Sequence, residues 1–573
     1  MKASKKRGFT IIELVIVIAV IAILAAVLIP TFANIIQKAN VANDVALARN
    51  MNTILIADEA TNGRSTDMYD VLIALEQGGF KLENLNPRAD GNVFAWDKAN
   101  NQIVYLDKKN PDKPIFQAKE IGDNKGDLYI TTRKAEVFAD YPGYSYYFAS
   151  DISGDITLKG GSCLDTGEFA LDGNVYVQTE KDVEIHGTIK NTITVNSASG
   201  KITNYSVVEN VVIENTAATS YHERGHVGAM EIKDSLTGKV VLENDAYVEK
   251  LTNNRTNGTV ESKGCVKAVD GSNKDSVTVT PTGYALEIGT YDQLVNFRNK
   301  VNAGASYSGM TVKLTADIDI SERAWTPIGA AHRDKIEAQT NVFQGTFDGQ
   351  GHKITGLTNT GFKISSVFKG SNSTTPEGYS EYIFGLFGSV YNATIKNIVM
   401  ANVNIDLGCD EKEKVVGDSV GAIVGYAAGT NVTIDSCKVL SGSIVGYDAV
   451  AGIIGRTYSA NTTISNCENA ATVTAIRRAS GILGFASFQK GAKSVEITGC
   501  KNSGNVKQTG TPTTDPADKT QTGYGYYMVA GLAIYQKGSG NEITITGSSN
   551  TGTVTLTVPA GEGKNKSDKV WYY

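Results

Sequence analysis

Residues 9–30 read FTIIELVIVIAVIAILAAVLIP, an almost unbroken apolar run near the start of a chain of 573 residues. Only Thr10 and Glu13 interrupt the apolar residues before Pro30. As a helix this run would be about 31 Å long at 1.5 Å per residue, which is enough to cross a bilayer. The pattern therefore predicts a membrane-spanning helix with one carboxylate near its start.

The residues around this run predict its orientation and its length. The positive-inside rule places the N-terminus in the cytoplasm and the chain after residue 30 outside the membrane. Pro30 should end or kink the helix, because its ring displaces the carbonyl of Ala26. Apolar residues nevertheless keep helical spacing as far as Ile54, so we expect one helix of roughly fifty residues, lipid-facing first and amphipathic afterwards. The basic residues that set the orientation are Lys2, Lys5, Lys6 and Arg7.

Two ordinary alternatives for the N-terminal segment are a secretory signal peptide, cut around Ala22 to Ala26, and a plain signal anchor. A signal peptide has an apolar core of about 7 to 15 residues without an acid inside it. Glu13 disfavours that alternative, because a carboxylate in hydrocarbon costs at least a few kcal/mol. Such a charge indicates a functional site whose partner has to be found.

The stretch KKRGFTIIELV at residues 5–15 closely resembles the N-terminal signal of type IV pilins and pseudopilins. In that family a prepilin peptidase cuts after the glycine, and the new N-terminal residue is methylated. The resemblance implies a cut between Gly8 and Phe9, with Phe9 methylated. It also implies that Glu13 pairs with the α-amine of a neighbouring subunit's Phe9 during filament assembly, and that Pro30 is the family's assembly proline. A paired buried charge can fix the register between subunits, whereas an unpaired one is costly.

Composition excludes several classes of function. Removal of the leader takes the formal net charge from -6 to -10, and no basic domain indicates nucleic-acid binding. Six cysteines in so long a chain do not make a disulfide scaffold, and their spacing, with no CxxC or companion histidine, argues against a zinc site. Glycine is abundant, with 59 residues, and proline scarce, with 11, which favours many strands joined by tight turns. No cofactor is expected.

A small head is predicted after the long helix. The breaker cluster at residues 60–67 should end that helix. Residues 68–80, MYDVLIALEQGGF, are typical of a short amphipathic helix, and residues 92–107 alternate around an Asn-rich turn as a hairpin does. Trp96 and Tyr105 are expected in the hairpin core. A long helix on a small antiparallel sheet is similar to a pilin head.

The rest of the chain is predicted to be β-rich. Short Val/Ile/Thr runs at even spacing in residues 150–285 fit a sandwich or a solenoid, of which we favour the solenoid. Residues 285–329 and 343–357 resemble the entry module of bacterial surface proteins with GLUG repeats, and this resemblance implies a right-handed parallel β-helix. In the first of these segments, YDQLVNFRNKVN predicts a helix with one apolar face, formed by Leu294, Phe297 and Val301.

Repeats follow this module, and each is expected to hold about three short strands. Glycine boxes such as AGIIG at residues 451–455 recur after most units, where coils should turn and pack closely. The isoleucines that start the six units are Ile354, Ile395, Ile434, Ile464, Ile497 and Ile545.

Three positions after these isoleucines the sequence predicts an internal column of side chains. Stacked coils would lie about 4.8 Å apart, which a disulfide also allows, so packing and bridging both remain open and packing is favoured. Cys163, Cys265 and Cys409 lie outside this column. Its members are Leu357, Ile398, Cys437, Cys467, Cys500 and Ser548.

An enzyme must also be considered, because parallel β-helices include polysaccharide lyases and hydrolases. Asp348 is expected to be a turn residue that bonds its own backbone. The motif HERGHVG at residues 222–228 has the order of residues in the zinc motif HExxH but a loop-like context, so no zinc site is expected there. Arg477 and Arg478 are expected on a solvated face, so no catalytic residue is assigned. The acids and bases considered were Asp317, Asp319, Asp348, His352, Arg477 and Arg478.

The sequence thus predicts an α+β pilin-like N-terminus followed by a mainly-β, right-handed parallel β-helix. The expected function is a surface-displayed minor pilin or pseudopilin subunit that carries a repeat domain for adhesion or ligand binding, without enzymatic activity. Its expected partners are prepilin peptidase, other pilin subunits and a glycan or cell-surface ligand, and it would pass from the cytoplasmic membrane to a pilus or the cell surface. The alternative is a membrane-tethered β-helix carbohydrate-active enzyme. The expected divisions are a leader at 1–8, the transmembrane and assembly helix at 9–60, the head at 61–120, a β-rich domain at 121–285 and the repeat domain at 286–573.

Overall fold

The description of the computed structural model covers residues 10–572 apart from sixteen short segments. The predicted processing residues Gly8 and Phe9, and also Cys409, lie outside the described residues. The chain divides into two units, Met1–Thr188 with Ser197–Gly200 and Ile189–Asn196 with Lys201–Tyr573, and each is described by itself. The segments left out are 136, 161–162, 197–199, 215–219, 234–237, 256–259, 278–282, 322, 330–340, 360–371, 375–379, 408–414, 488–493, 511–527, 537–541 and 558–569.

The first unit begins with one long helix, α1, at Ile11–Asn62, which confirms the predicted length. The helix ends at Gly63, whose φ of 88° lies in the left-handed region that glycine adopts easily. The helix continues through Pro30, so this proline does not end it. One turn away, the Thr31 hydroxyl donates a hydrogen bond to the Val27 carbonyl at 2.8 Å.

The head packs a short helix and a three-stranded antiparallel sheet against the C-terminal half of α1. Its hairpin pairs Trp96 with Ile103, and both Trp96 and Tyr105 are fully buried, as predicted. The third strand pairs antiparallel with the first. The elements are helix α2 at Met68–Gln77, strands Val93–Asp97, Gln102–Leu106 and Leu128–Thr132, and 3-10 turns at Leu82–Leu85 and Lys125–Asp127.

Parallel pairing takes over after the head. Strand Ser145–Phe148 runs parallel to the third head strand, and Ile156 pairs in parallel with Val175, 19 residues later. The elements here are helix α3 at Val137–Asp140 and strands Ser145–Phe148, Ile152–Ser153, Ile156–Leu158, Cys163–Asp172, Val175–Val177 and Val183–Val195, the last of which runs into the second unit.

The second unit opens with two parallel ladders. In one of them Ile202 pairs with Tyr221, Tyr221 with Val240 and Val240 with Val260, so the chain returns to the same ladder every 19 or 20 residues. One ladder contains Ile202–Asn204, Ser220–Glu223, Lys239–Leu242 and Val260–Ser262, and the other contains Val207–Ile213, His226–Ile232, Tyr247–Asn253 and Cys265–Asp270.

A helix and the repeats follow. Helix α4 at Tyr291–Asn302, preceded by a 3-10 turn at Lys274–Ser276, buries Leu294, Phe297 and Val301, which confirms the predicted apolar face. Five further sheets then hold the repeat strands, and almost all of their pairings are parallel. In the first sheet Ile395, Ile434, Ile464, Ile497 and Ile545 pair in succession. The sheets are Ala285–Ile288, Thr311–Leu314, Thr346–Asp348, Thr394–Lys396, Asn431–Asp435, Asn461–Ser465, Ser494–Thr498 and Glu542–Thr546; Ile318–Asp319, Lys353–Thr355, Val399–Ala401, Lys438–Val439, Glu468–Asn469, Lys501–Asn502 and Ser549–Asn550; Asn372–Thr374, Ser380–Phe384, Val415–Gly421, Val450–Ala451, Arg478–Ser480 and Met528–Ala530; Phe387–Tyr391, Val424–Ala428, Ile454–Thr457, Leu483–Ala486, Ala533–Gln536 and Val570–Tyr572; and Val403–Asp406, Gly442–Gly446, Thr472–Ala475, Val506–Gln508 and Val554–Leu556.

Two details of the predicted repeats are wrong. Ile354 does not start the series, because the register partner of Ile395 is Phe347, whereas Ile354 pairs with Met400 in a different sheet. A repeat also contains five short strands rather than three. The chain turns more often than its composition suggests, as at Ser436, where φ is 54° and the first strand of a repeat ends.

The glycine boxes and, of the predicted column, Ile398 and the three cysteines occupy interior positions. Leu357 lies outside this column because it follows Ile354, which pairs in a different sheet, and Ser548 is only part-buried. Cys437, Cys467 and Cys500 are fully buried and are free thiols in the structure. At Gly455 an added Cβ would lie 2.3 Å from the Val420 backbone nitrogen, and at Gly484 it would lie 2.5 Å from the Gly455 carbonyl oxygen. These boxes are therefore glycine because neighbouring turns of backbone approach too closely for a side chain.

Candidate functional site

The predicted assembly residue Glu13 occupies the first turn of α1. Its carboxylate accepts hydrogen bonds from the Thr10 backbone N–H at 2.9 Å and from the Thr10 hydroxyl at 2.8 Å. The Glu13 N–H donates in return to the Thr10 hydroxyl at 3.3 Å, which completes a capping box. Glu13 therefore has an intrachain role as well as the predicted intersubunit one, and the pattern T-x-x-E before an apolar run was the sequence signal for it.

The first half of α1 exposes an apolar surface along its whole length. It contains an 18-residue stretch of mean hydropathy 3.3, none of which is buried, and the helix meets the length and composition of a membrane span. Side chains as large as Ile11 and Phe32 are 81% and 57% exposed. A surface of this kind stays in water only at a high cost, so it requires lipid or other apolar helices around it.

Two polar residues fasten the second half of α1 to the head. The Asp44 carboxylate is fully buried and accepts from the backbone N–H groups of Arg88 and Ala89, both at 2.9 Å. Further along, the Asn52 side chain accepts from the Ile103 N–H and donates to the Ile103 carbonyl, both at 2.8 Å. Asn52 thereby acts as a strand partner for the hairpin, and the head is held to the helix by directional bonds as well as apolar packing.

Three acids and a histidine are candidates for the enzyme alternative, and two of the acids make turn-type hydrogen bonds to the backbone. The Asp348 carboxylate accepts from the Gln350 N–H at 3.0 Å, as predicted for a turn residue, and also contacts Lys396 at 3.3 Å. Asp319 accepts similarly from the Ser321 N–H at 2.9 Å. These bonds fix loop geometry and leave little for acid–base chemistry.

Asp317 and His352 are the two candidates that do come together. The Asp317 carboxylate lies 3.4 Å from His352 Nδ1, and it accepts from the Lys353 N–H at 2.9 Å. This backbone bond, followed by the contact with His352, lowers the pKa of Asp317 from its ordinary value. The Asp317 side chain is 64% exposed, so the pair lies at an open surface.

Arg477 and Arg478 are buried, so the prediction of a solvated face is wrong. The Arg478 guanidinium donates two hydrogen bonds to the carboxylate of Asp448, to which Arg456 also donates at 3.1 Å. The guanidinium carbon of Arg478 also lies 3.8 Å from the centroid of the Phe485 ring. Asp448 is 30 positions from Arg478 and one repeat away, so nothing in the local sequence indicates the partner that makes burial possible.

The electrostatics of this cluster follow from its burial. Burial alone would raise the pKa of Asp448, but the guanidinium groups of Arg478 and Arg456 outweigh it and hold that pKa well below its usual range. Burial lowers the pKa of Arg478, and Asp448 opposes this. The cluster is an ion-pair network that joins neighbouring repeats. Removal of one of its charged side chains would leave the opposite charge buried without a partner.

Asp317 and Arg477 belong to different repeats. In the ladder that begins with Ile318–Asp319, the repeat of Arg477 is reached only four strands later, at Glu468–Asn469. At about 4.8 Å per strand this separates them by roughly 19 Å. Among the described residues no group of three or more His, Cys, Asp or Glu side chains is arranged to hold a metal ion.

The HERGHVG motif lies in strands rather than in a loop, which corrects the expected context. Ser220–Glu223 and His226–Ile232 are consecutive strands of neighbouring ladders. Glu223 is fully buried and faces the interior, whereas the neighbouring His222 has a part-exposed side chain on the outer face. Strand alternation separates the two residues, so they cannot act together as in a zinc motif.

Comparisons with known proteins identify the N-terminal signal. The family described as the prokaryotic N-terminal methylation motif matches residues 3–29. The type IV major fimbrial protein FimA of Dichelobacter nodosus is 35% identical over 94 residues, which are 16% of this chain and 57% of that protein. The fimbrial protein of Moraxella nonliquefaciens is 44% identical over 98 residues, 16% of this chain and 63% of that protein.

A different relative aligns with a longer stretch of the chain. Halomucin of Haloquadratum walsbyi is 28% identical over 217 residues, which are 35% of this chain and 2% of that protein. No solved structure matches the chain. The chain spans only about 57% to 63% of the two fimbrial relatives, so these findings establish a type IV pilin signal and a pilin-like N-terminus.

Proposed function

We propose that this chain is a minor pilin or pseudopilin subunit that carries a repeat domain to the cell surface for adhesion. The observation that supports it best is the exposed apolar half of α1, most of which lies within the methylation motif at residues 3–29 and which continues into a head anchored through Asp44. A helix of this kind is stable in a membrane or among other apolar helices, and the head keeps its polar contacts outside.

The partners of this role follow from its chemistry. Prepilin peptidase would cut after Gly8, and other pilin subunits would surround the apolar half of α1. The chain would be held in the cytoplasmic membrane before assembly, with its head and repeats outside. About 500 exported residues are large for a densely packed filament, so we place the subunit at a tip or at low abundance.

The repeats would serve as a scaffold for binding. Parallel pairing with a recurring register, and one stacked isoleucine per repeat in the first sheet, support a GLUG-type parallel β-helix, for which the resemblance implies a right-handed sense. Such a stack presents a long outer face that can contact an extended ligand such as a glycan. We propose no polysaccharide-cleaving activity for residues 286–573, because Asp317 and Arg477 lie roughly 19 Å apart, at about 4.8 Å per strand.

Filament assembly provides the test. The full chain would be expressed with a prepilin peptidase and a set of pilins, and sheared surface fibres would be probed for it. Recovery of the chain in the fibre fraction, lost when peptidase is omitted, is expected. A processed chain that stays in the membrane fraction would contradict the filament role.

A further inference from the structure

A serine, a histidine and a glutamate form a hydrogen-bonded chain on the outer face of the second unit. Ser220 and His222 are two residues apart on one strand, and Glu243 follows the next strand of the same ladder. The Ser220 Oγ lies 2.8 Å from His222 Nε2, and His222 Nδ1 lies 2.7 Å from a Glu243 carboxylate oxygen. The filament role uses none of these three side chains.

The direction of the two hydrogen bonds follows from the chemistry of the groups. An ionised carboxylate can only accept, so Nδ1 of His222 carries the proton that is donated to Glu243. Nε2 of the neutral ring is then an acceptor, and the Ser220 hydroxyl donates to it. This is the order of donors that a general base needs in order to take a proton from a serine.

The neighbouring residues place a cation near Glu243 and restrict the His222 ring. Lys263 lies 3.8 Å from the Glu243 carboxylate and 3.0 Å from Glu261. Its bond to Glu261 and the nearby charge of Glu243 raise the pKa of Lys263, so the ammonium stays charged. The side chains of His222 and Glu243 are only 19% and 24% exposed, which restricts the ring, and Ser220 is part-exposed.

We propose that Ser220 is an activated nucleophile that accepts acyl groups from small O-acyl esters, with His222 as its general base and Glu243 as the positioning residue. The Ser220 oxygen would bond to the acyl carbon, and its proton would pass to His222 Nε2. The bond from that carbon to the ester oxygen would break, and the leaving alcohol would take the proton from His222. Water would then attack the acyl carbon with His222 as base, release the carboxylic acid and restore the Ser220 hydroxyl.

The substrate class follows from the openness of the site. Ser220 is part-exposed on the outer face of the ladder, so an acyl group on a protruding chain, such as an acetyl ester on a polymer, reaches it more readily than a buried ester. This activity does not depend on filament assembly, and its proposed substrate is an acyl ester on a polymer outside the cell.

The test uses the full chain in detergent, a fluorophosphonate probe and 4-nitrophenyl acetate. We expect one phosphonyl adduct on Ser220 by peptide mass spectrometry, and release of 4-nitrophenol at least tenfold faster than from the Ser220→Ala chain. His222→Gln should abolish the adduct, and Glu243→Gln should reduce the rate without changing the melting temperature by more than a few degrees. A bell-shaped or sigmoid pH profile of the hydrolysis rate is expected. A shift of this profile in Glu243→Gln would show that Glu243 positions His222 and does not merely support the fold.

A matched control is available in Ser494, which also begins a strand but donates to Asn461 at 3.1 Å instead of to a histidine. Ser494→Ala should leave both labelling and hydrolysis unchanged. Failure of the folded wild-type chain to label at Ser220, or equal hydrolysis by wild type and Ser220→Ala, would overturn the proposal.

Discussion

The hydroxyl of Tyr105, in the head hairpin, donates a hydrogen bond of 2.8 Å to the carboxylate of Asp44 on α1. Burial is the main cause that raises the pKa of Tyr105 above its ordinary value, so the hydroxyl keeps its proton and remains a donor. Together with two backbone N–H groups, it gives the fully buried Asp44 three donors across 61 positions of sequence. These three hydrogen bonds join the head to α1.

Asp44→Ala should therefore detach the head from α1. The change leaves the Arg88 and Ala89 N–H groups and the Tyr105 hydroxyl without their acceptor and should cost about 2 to 4 kcal/mol of unfolding free energy. Tyr105→Phe removes one bond and should cost about 1 kcal/mol. Denaturant unfolding of the full chain in detergent measures both, with Trp325 and Trp571 changed to phenylalanine so that the fluorescence reports Trp96. Equal stability of Asp44→Ala and wild type would show that the hydrogen bonds of Asp44 do not hold the head to α1.

Ile464→Asp should unfold the repeat region. Ile464 is fully buried between its register partners Ile434 and Ile497, so the substitution buries a carboxylate without a partner and should cost more than about 4 kcal/mol. Thr463 is the matched control, because it is adjacent but has a part-exposed side chain. Thr463→Asn should change the unfolding free energy by less than about 1 kcal/mol. A variant Ile464→Asp with normal circular dichroism and protease resistance would contradict the stacked core.

Stability of the second unit should depend on pH through Glu223. Burial raises the pKa of this fully buried carboxyl from an ordinary 4.5 to about 7, against hydrogen bonds from Tyr221 and Asn204 that lower it. The folded state therefore holds the proton more tightly, and stability is greatest below about pH 4.5 and falls as the pH rises towards 7. The total loss is roughly 3 kcal/mol.

The comparison with Glu223→Gln isolates this effect. The amide cannot ionise, so the variant should gain stability relative to wild type at pH 8 and lose that advantage at pH 4. Thermal unfolding of both chains at the two pH values gives the result. A constant difference between them across this range would exclude Glu223 as the titrating group.

Two substitutions separate the capping role of Glu13 from its assembly role. Glu13→Gln retains a side chain that can complete the capping box with Thr10, whereas Glu13→Ala does not. If the charge pairs with the α-amine of a neighbouring Phe9, both variants should remain in the membrane and stay out of filaments. Incorporation of Glu13→Gln at the wild-type level would show that capping alone is the function of Glu13.

Local sequence patterns predict the main helices and strands of this chain and much of its core. They do not predict which residues distant in sequence come into contact. The isoleucines from Ile395 to Ile545 pair in register as the repeats predicted, because each sits in the same short strand context. Ile354 is an exception, because Phe347 occupies the position before Ile395 in that ladder. The series therefore cannot be traced by isoleucine alone.

The charged residues show the same limit more clearly. Arg478 looked exposed because arginine usually is, and only the fold brings Asp448 to it from 30 positions away. Ser220 and His222 share a strand face by simple alternation, but Glu243 joins them only because the chain returns after 21 positions. Strand alternation therefore predicts which residues share a face, and the length of each turn decides what they meet there.

The mass of the mature N-terminal peptide tests the central claim most directly. The full chain, expressed with a prepilin peptidase and digested, should yield an N-terminal peptide that begins at Phe9 and carries one added methyl group, and Gly8→Ala should leave the chain uncut. An N-terminus between residues 23 and 30 would show cleavage by an ordinary signal peptidase and contradict the pilin-like account.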